Sequence, residues 1–170
     1  MIALFVGTVA TYILSTSVTS AVANTVTRQE RAVAAEAAMN RMEALRATPV
    51  ELVFALFNDD PSDDPAAAGS GPGATFDVDG LRPILDGQGD PLPVGRVLLP
   101  GEGAVLDETL VQPEFGLPRD LDGDLEVRPG DCSDRYLVLP VTVRVEWRSR
   151  LGDRAFELST LLVDLEKLDP

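Results

Sequence analysis

The chain has 170 residues with 28 acidic and 14 basic side chains, a net charge of -14, no histidine and one cysteine. The absence of histidine excludes Ser-His-Asp and Cys-His catalytic groups and imidazole metal ligands, and one cysteine excludes an internal disulfide or a thiolate zinc cluster. So acidic a surface repels nucleic acid, and we expect no nucleic-acid partner for the soluble part.

The chain begins with an uncharged stretch, residues 1–27, and the helix-compatible residues 28–47 follow it without a proline. A membrane span needs about 20 largely apolar residues, so the first stretch is long enough to cross a bilayer. One helix over both stretches would be about 70 Å long, which exceeds a compact domain of this size. We therefore predict a helix with two zones, a transmembrane or assembly zone at 1–27 and an amphipathic zone at 28–47.

Three interpretations compete for the first zone: a cleaved signal peptide, a signal anchor, and a helix that lies first in the membrane and later in a fibre. A signal peptide is disfavoured because no basic residue precedes the apolar run. Threonine and serine recur through the run, and such small residues allow close approach of neighbouring helices. This composition favours a helix that packs against others like itself.

Two segments carry a resemblance to a known family. MIALFVGTVATYIL resembles the apolar segment of type IV pilins and of type II secretion pseudopilins, and AAEAAMNRMEALRATP is similar to the end of the first helix in minor pilins and I- and J-type pseudopilins. Met1 matches about the seventh position of the mature family chain. The family's leader peptide, cleavage glycine and glutamate would therefore precede Met1 or be missing.

The resemblance implies a structural subunit of a type II secretion or type IV pilus fibre, with a pilin-like α+β fold. It implies an inner-membrane protein with a single span and its head outside the cytoplasm, later extracted into a fibre. The implied partners are other pilin or pseudopilin subunits, the inner-membrane assembly machinery and membrane lipid. We expect no enzymatic activity and no catalytic residues. The side chains expected to pack in membrane and fibre are Ile2, Leu4, Phe5, Val6, Val9, Ile13 and Leu14.

The rest of the chain, residues 48–170, is predicted to form the extracytoplasmic head. Thr48 and Glu51 form a capping-box pattern around Pro49, which predicts a short second helix to Phe57. Residues 58–74 are rich in Asp, Pro, Gly, Ser and Ala and are predicted to be a flexible loop. Short strands are expected at FDVDG and GRVLL. Apolar residues of the long helix fall in two sets, which indicates two partners, first neighbouring helices and then the head. One set is Val22, Val26, Val33 and Ala37, and the other is Ala35, Ala38, Met42 and Leu45. The second helix is expected to bury Leu52, Val53, Leu56 and Phe57.

The clearest β signal is a C-terminal hairpin with its turn near residues 149–153. Apolar residues alternate from Leu137 to Trp147 and again from Phe156 to Leu162, a period of two that is typical of half-buried strands. We predict that one face packs on the amphipathic zone of the long helix. Trp147 is expected in the core, and Pro140 at an edge or irregular position.

One acidic cluster is a candidate calcium site. Carboxylates at alternate positions around a glycine turn resemble the first half of an EF-hand loop, although the distal glutamate of that loop is not evident. The alternative is an ordinary acidic turn. The candidate ligands are Asp120, Asp122, Asp124 and Glu126, with Asp131 and Asp134 close enough in sequence to complete a cage. The lone Cys132 is predicted to be a small buried residue.

A second function therefore stays open beside the fibre subunit. The chain would then be a signal-anchored extracytoplasmic module whose acidic head binds calcium or another ligand. No other cofactor is predicted.

Overall fold

The computed structural model describes residues 2–101 and 103–165, and within residues 2–23 the only side chain it describes is that of Tyr12. The fold is α+β, as the sequence predicts, with helices and one small antiparallel sheet. In chain order the elements are α1 (Ile2–Ala47), α2 (Val50–Phe57), β1 (Thr75–Phe76), β2 (Gly95–Leu98), the 3-10 helix η1 (Pro113–Phe115), β3 (Val138–Ser149) and β4 (Gly152–Val163).

The sheet has four antiparallel strands in the order β1-β2-β3-β4. The predicted hairpin is confirmed, because β3 and β4 pair along their whole length and close at Ser149 opposite Gly152. Pro140 pairs with Leu161 of β4, whereas β2 ends opposite Thr142. Pro140 therefore lies where β3 has a partner strand on one side only, which a residue without an N–H group tolerates.

The core lies between the sheet and the second half of α1. Four α1 side chains are at most 1% exposed, at the spacing of one helix face. They are Ala34, Ala38, Met42 and Leu45. Ala38, Met42 and Leu45 belong to one of the two predicted apolar sets, whereas Ala34 belongs to neither and Ala35 is only half-buried. The facing side chains of β3 are Leu139, Val141, Val143, Val145 and Trp147, all at most 2% exposed.

A carboxylate on α1 joins the helix to the end of the hairpin. Glu30 Oε2 accepts hydrogen bonds from Trp147 Nε1 at 3.3 Å and from Ser149 Oγ at 2.6 Å. Trp147 is 2% exposed, so its predicted place in the core is confirmed. Burial of an indole requires a partner for its N–H, and Glu30 supplies that partner from the neighbouring element.

A guanidinium joins α1 to α2 and β1. Arg41 stacks on the rings of Phe57 and Phe76, at 4.9 and 5.2 Å from their centroids. Its Nη2 donates to Gly73 O at 2.9 Å. Burial lowers the pKa of Arg41, because a desolvated cation loses hydration, and the two aromatic faces offset part of that cost.

Segment 58–74 is irregular and carries its own hydrogen bonds. Asn58 Nδ2 donates to Asp63 at 2.7 Å, and Gly71 N donates to Asp64 at 2.9 Å. Gly73 N also donates to Leu56 O of α2 at 3.0 Å. The flexibility of this loop stays a prediction, as do the domain boundaries at residues 27 and 47.

The second helix begins differently from the prediction. Pro49 is its N-cap and no side chain caps it, because the Thr48 hydroxyl donates back to Ala44 O at 2.9 Å. The predicted capping box is therefore wrong: the preceding helix takes the hydroxyl that the box requires. Phe54, which the sequence reading omitted, is buried with Val53 and Phe57. Leu52 and Leu56 are only half-buried.

A buried tyrosine fixes α2 from outside the helix. The hydroxyl of Tyr136 accepts a hydrogen bond from Phe54 N at 3.1 Å and donates to Val50 O. The residue is 1% exposed, and burial raises its pKa to about 12. The first turn of α2 is thus tied to the segment that enters β3, 82 residues further along the chain.

Candidate functional site

The predicted membrane and assembly side chains lie outside the described side chains. They are Ile2, Leu4, Phe5, Val6, Val9, Ile13 and Leu14. Among the residues that the structure describes, no helix has a long enough apolar stretch to span a bilayer. The assembly role of these seven residues stays a prediction.

The second candidate, the acidic loop formed by residues 106–135, is organised by a carboxylate that the sequence reading missed. Glu108 is 3% exposed. Its Oε1 accepts hydrogen bonds from the N–H groups of Leu121 at 2.7 Å and Asp122 at 3.0 Å, and its Oε2 accepts from Arg128 N at 3.4 Å. A buried carboxylate needs such donors to offset desolvation, so Glu108 is the interior support of the loop.

Asp120 shapes the turn above Glu108. Its two carboxylate oxygens accept from Gly123 N at 2.6 Å and from Leu125 N at 2.8 Å. Gly123 and Leu125 both have positive φ, at 80° and 69°. A left-handed conformation costs a leucine about 1–2 kcal/mol, and the bonds to Asp120 offset part of it.

The remaining predicted ligands are paired with arginines. Asp122 accepts from Arg135 Nε at 2.9 Å, and this hydrogen bond is the main reason that the pKa of Asp122 is lowered. Asp124 and Glu126 lie beside Arg128, at 3.4 and 2.7 Å from its guanidinium nitrogens. These two carboxylates are partly exposed and lie on the outside of the loop.

The base of the loop is held by Asp107 and Asp131. Hydrogen bonds from the Thr109 side chain and N–H group lower the pKa of Asp107. Burial alone would raise the pKa of Asp131, but hydrogen bonds from Ser133 and from Leu106 N outweigh it and lower the pKa. Both carboxylates are therefore engaged in holding backbone N–H groups as anions.

The predicted burial of Cys132 is confirmed. It is a free cysteine with no exposed surface, and its Sγ donates to Leu106 O at 3.1 Å. Burial raises the pKa of the thiol to about 12. A thiol that stays protonated at neutral pH is a poor nucleophile and a poor metal ligand.

Three carboxylates in the described part of the chain come close enough to share a cation. One oxygen each from Glu108, Asp120 and Asp122 lies within 4.8 Å of the others. Two of these residues belong to the predicted set, Glu108 does not, and Asp124 and Glu126 lie outside the group. Calcium takes six to eight oxygens, so carbonyl or water oxygens would have to add to these three. Calcium binding stays a prediction.

No protein-family model matches this chain, no curated protein is detectably similar to it in sequence, and no solved structure matches its fold. The pilin resemblance of about the first 50 residues therefore stays an expectation from the sequence.

Proposed function

We propose that this protein is a structural subunit of a pilin-like or pseudopilin-like fibre, of the type II secretion or type IV pilus kind. It assembles through the first zone of α1, residues 1–27, and carries the head, residues 48–170, outside the cytoplasm. Its partners are other subunits of the same kind, the inner-membrane assembly machinery and lipid.

The observation that supports this proposal is the length of α1. The helix runs as one element from Ile2 to Ala47, 46 residues, which is about 69 Å at 1.5 Å per residue. Its described core residues begin only at Ala34. The described core contacts thus belong to the second half of the helix, and in this proposal the uncharged first half packs against lipid or neighbouring helices.

The way α1 joins the head suits a subunit that is moved by its helix. Glu30 bonds the hairpin end, Arg41 contacts α2 and β1, and Leu45 is fully buried. These three contacts are spread over about 23 Å of helix. In this proposal a pull on the helix acts on α2, β1 and β3 through separate contacts.

Co-purification tests the proposal. The tagged full chain is isolated from its native membranes in mild detergent, and the accompanying chains are identified by mass spectrometry. We expect pilin-like chains with the wild type and their loss with Val9→Asp, because a charge in an apolar helix interface is costly. Val111→Asp is the matched control, since Val111 is 79% exposed on the head.

The outcome also separates the rival function. A chain that stays in the membrane without pilin-like partners, with or without Val9→Asp, would be a signal-anchored module and would contradict the proposal. The genomic DNA directly before Met1 gives a second test. An in-frame segment encoding Gly-Phe-Thr-Leu-x-Glu supports the fibre subunit, whereas a stop codon there favours the anchor.

A further inference from the structure

The sheet opens into a cleft beside β1. Phe76 pairs with Gly95, but beyond this pair residues 77–79 and 91–94 separate. The space between them, here called the edge cleft, has a volume of about 530 Å³. No strand of the described chain fills it.

Two prolines account for the separation. Leu92 N donates to Ile84 O at 2.8 Å, and Val94 O accepts from Glu146 N at 2.7 Å, so both residues direct their peptide groups away from the cleft. Pro91 and Pro93 lie on the same wall and line the cleft. Proline has no N–H group, so these two residues offer no donors to a β-ladder.

Apolar side chains and two exposed carboxylates line the cleft together. The apolar residues are Phe76, Val78, Leu81, Pro83, Leu92 and Val94. Asp77 and Asp79 are exposed and also line the cleft. Among the described residues neither carboxylate has a hydrogen bond or an ion pair, and no arginine or lysine lines the cleft.

We propose that the edge cleft binds an arginine- or lysine-bearing segment of a partner protein. A cationic head group complements the two unpaired carboxylates, and its aliphatic stem covers the apolar side chains that line the cleft. Ordinary strand addition is disfavoured, because the proline wall lacks the N–H groups that a β-ladder requires. Recognition therefore rests on side chains.

The occupant is a protein segment because apolar side chains line the cleft beside the two carboxylates. A small polyamine would satisfy the carboxylates and leave Leu92 and Val78 uncovered, whereas apolar residues beside the cation cover them. The inference concerns the head alone and goes beyond the proposed fibre role, so either can fail without the other.

A short peptide tests the charge requirement. The full chain in nanodiscs of neutral phosphatidylcholine is titrated against fluorescein-labelled Ala-Leu-Arg-Leu-Ala, and binding is followed by fluorescence anisotropy. We expect saturable binding that weakens at least tenfold when citrulline replaces arginine, because citrulline keeps the shape and loses the charge. Equal binding of both peptides, or no binding, would overturn the proposal.

Two matched double variants locate the site. Asp77→Asn with Asp79→Asn should weaken binding about tenfold, the effect of removing two partly exposed ion pairs. Asp59→Asn with Glu114→Gln changes the net charge equally at exposed carboxylates outside the cleft, and should leave binding within twofold. If both double variants bind the peptide equally weakly, the peptide is attracted by the overall negative charge of the protein and not by the cleft. Displacement of the peptide by spermine at equal concentration would show a polyamine site, and either result contradicts the proposal.

Discussion

The head has two acidic regions that differ in what their carboxylates do. In the acidic loop, Glu108, Asp120 and Asp122 accept hydrogen bonds from backbone N–H groups or from an arginine. At the edge cleft, Asp77 and Asp79 have no such partner among the described residues. The first set holds a loop in place, whereas the second is available to a ligand.

This difference shows that net charge is a poor guide to binding. Residues 58–134 carry eighteen acidic and four basic side chains, which suggests one uniformly repulsive surface. Among the described residues, some of these carboxylates accept hydrogen bonds from peptide N–H groups or pair with arginines, whereas others, Asp77 and Asp79 among them, are exposed and unpaired. Removing the first kind should destabilise the protein, and removing the second should affect only binding.

The largest expected effect is at Glu108. In Glu108→Gln an amide NH₂ replaces one carboxylate oxygen and faces the N–H groups of Leu121, Asp122 or Arg128. Unsatisfied buried donors cost about 1–3 kcal/mol each, and we expect the free energy of unfolding to fall by about 3 kcal/mol. Urea unfolding followed by Trp147 fluorescence measures it. Glu114→Gln, at an exposed position of η1, is the control, and an equal effect there would contradict the role of Glu108.

A smaller loss is expected at Glu30. Glu30→Ala removes the shared acceptor of Trp147 and Ser149, which should cost about 1–2 kcal/mol of unfolding free energy. The emission maximum of Trp147 should shift as its N–H group loses its partner. Glu36→Ala, on an exposed part of the same helix, should change neither. Unchanged emission in Glu30→Ala would show that this hydrogen bond does not form in solution.

Calcium sharpens the comparison within the acidic loop. If Glu108, Asp120 and Asp122 share a calcium ion, a free calcium concentration ten times the dissociation constant adds about 1.4 kcal/mol to the free energy of unfolding. The melting temperature should then rise by about 3–5 °C between EDTA and millimolar calcium. Asp120→Asn should abolish the rise and Asp124→Asn should preserve it, since Asp124 lies outside the group. If the melting temperature does not change at millimolar calcium, the loop is not a calcium site.

The pH dependence of stability should come from the engaged carboxylates. The pKa values of Asp107 and Asp122 are lowered from 3.8 in the folded chain. Their contribution to the free energy of unfolding is therefore fully present above about pH 4 to 5, and it is lost as the pH falls through 3.8 and below. Unfolding free energy should be flat from pH 7 to 5 and decline below pH 4. In Asp107→Asn the decline should be shallower, and an unchanged slope would rule out this carboxylate as a source.

The smallest expected effect is at the edge cleft. Asp77→Asn with Asp79→Asn should leave the free energy of unfolding within about 0.5 kcal/mol of the wild type, because exposed groups without partners contribute little. The same urea titration measures it. A loss of more than about 1 kcal/mol would mean that these carboxylates support the fold, which would erase the distinction between the two regions.

Much of the fold follows from local sequence patterns. The hairpin, the buried stripe of α1 and the burial of Trp147 and Cys132 are predictable because each depends on alternation, helical spacing or residue type. The acidic loop is also visible as a cluster. These features require no knowledge of distant partners.

The errors arise where the partner is distant or competes locally. Glu108 lies in an irregular stretch, and its donors are 13 to 20 residues away, so no spacing rule identifies it. Thr48 satisfies a capping pattern, yet the preceding helix takes its hydroxyl. The edge cleft has a sequence signal, since prolines at alternate positions, Pro91 and Pro93, lack the N–H groups that complete a ladder.

The contact of Glu30 with the hairpin is the most N-terminal of the three contacts that join α1 to the head. Residues 2–29 of α1 precede it and span about 42 Å of helix. A change of about 10° in the angle between helix and sheet would displace Ile2 by about 7 Å relative to the head, more than half the diameter of a helix. A small change in the geometry of these two hydrogen bonds would therefore produce a much larger displacement at the N-terminal end of α1.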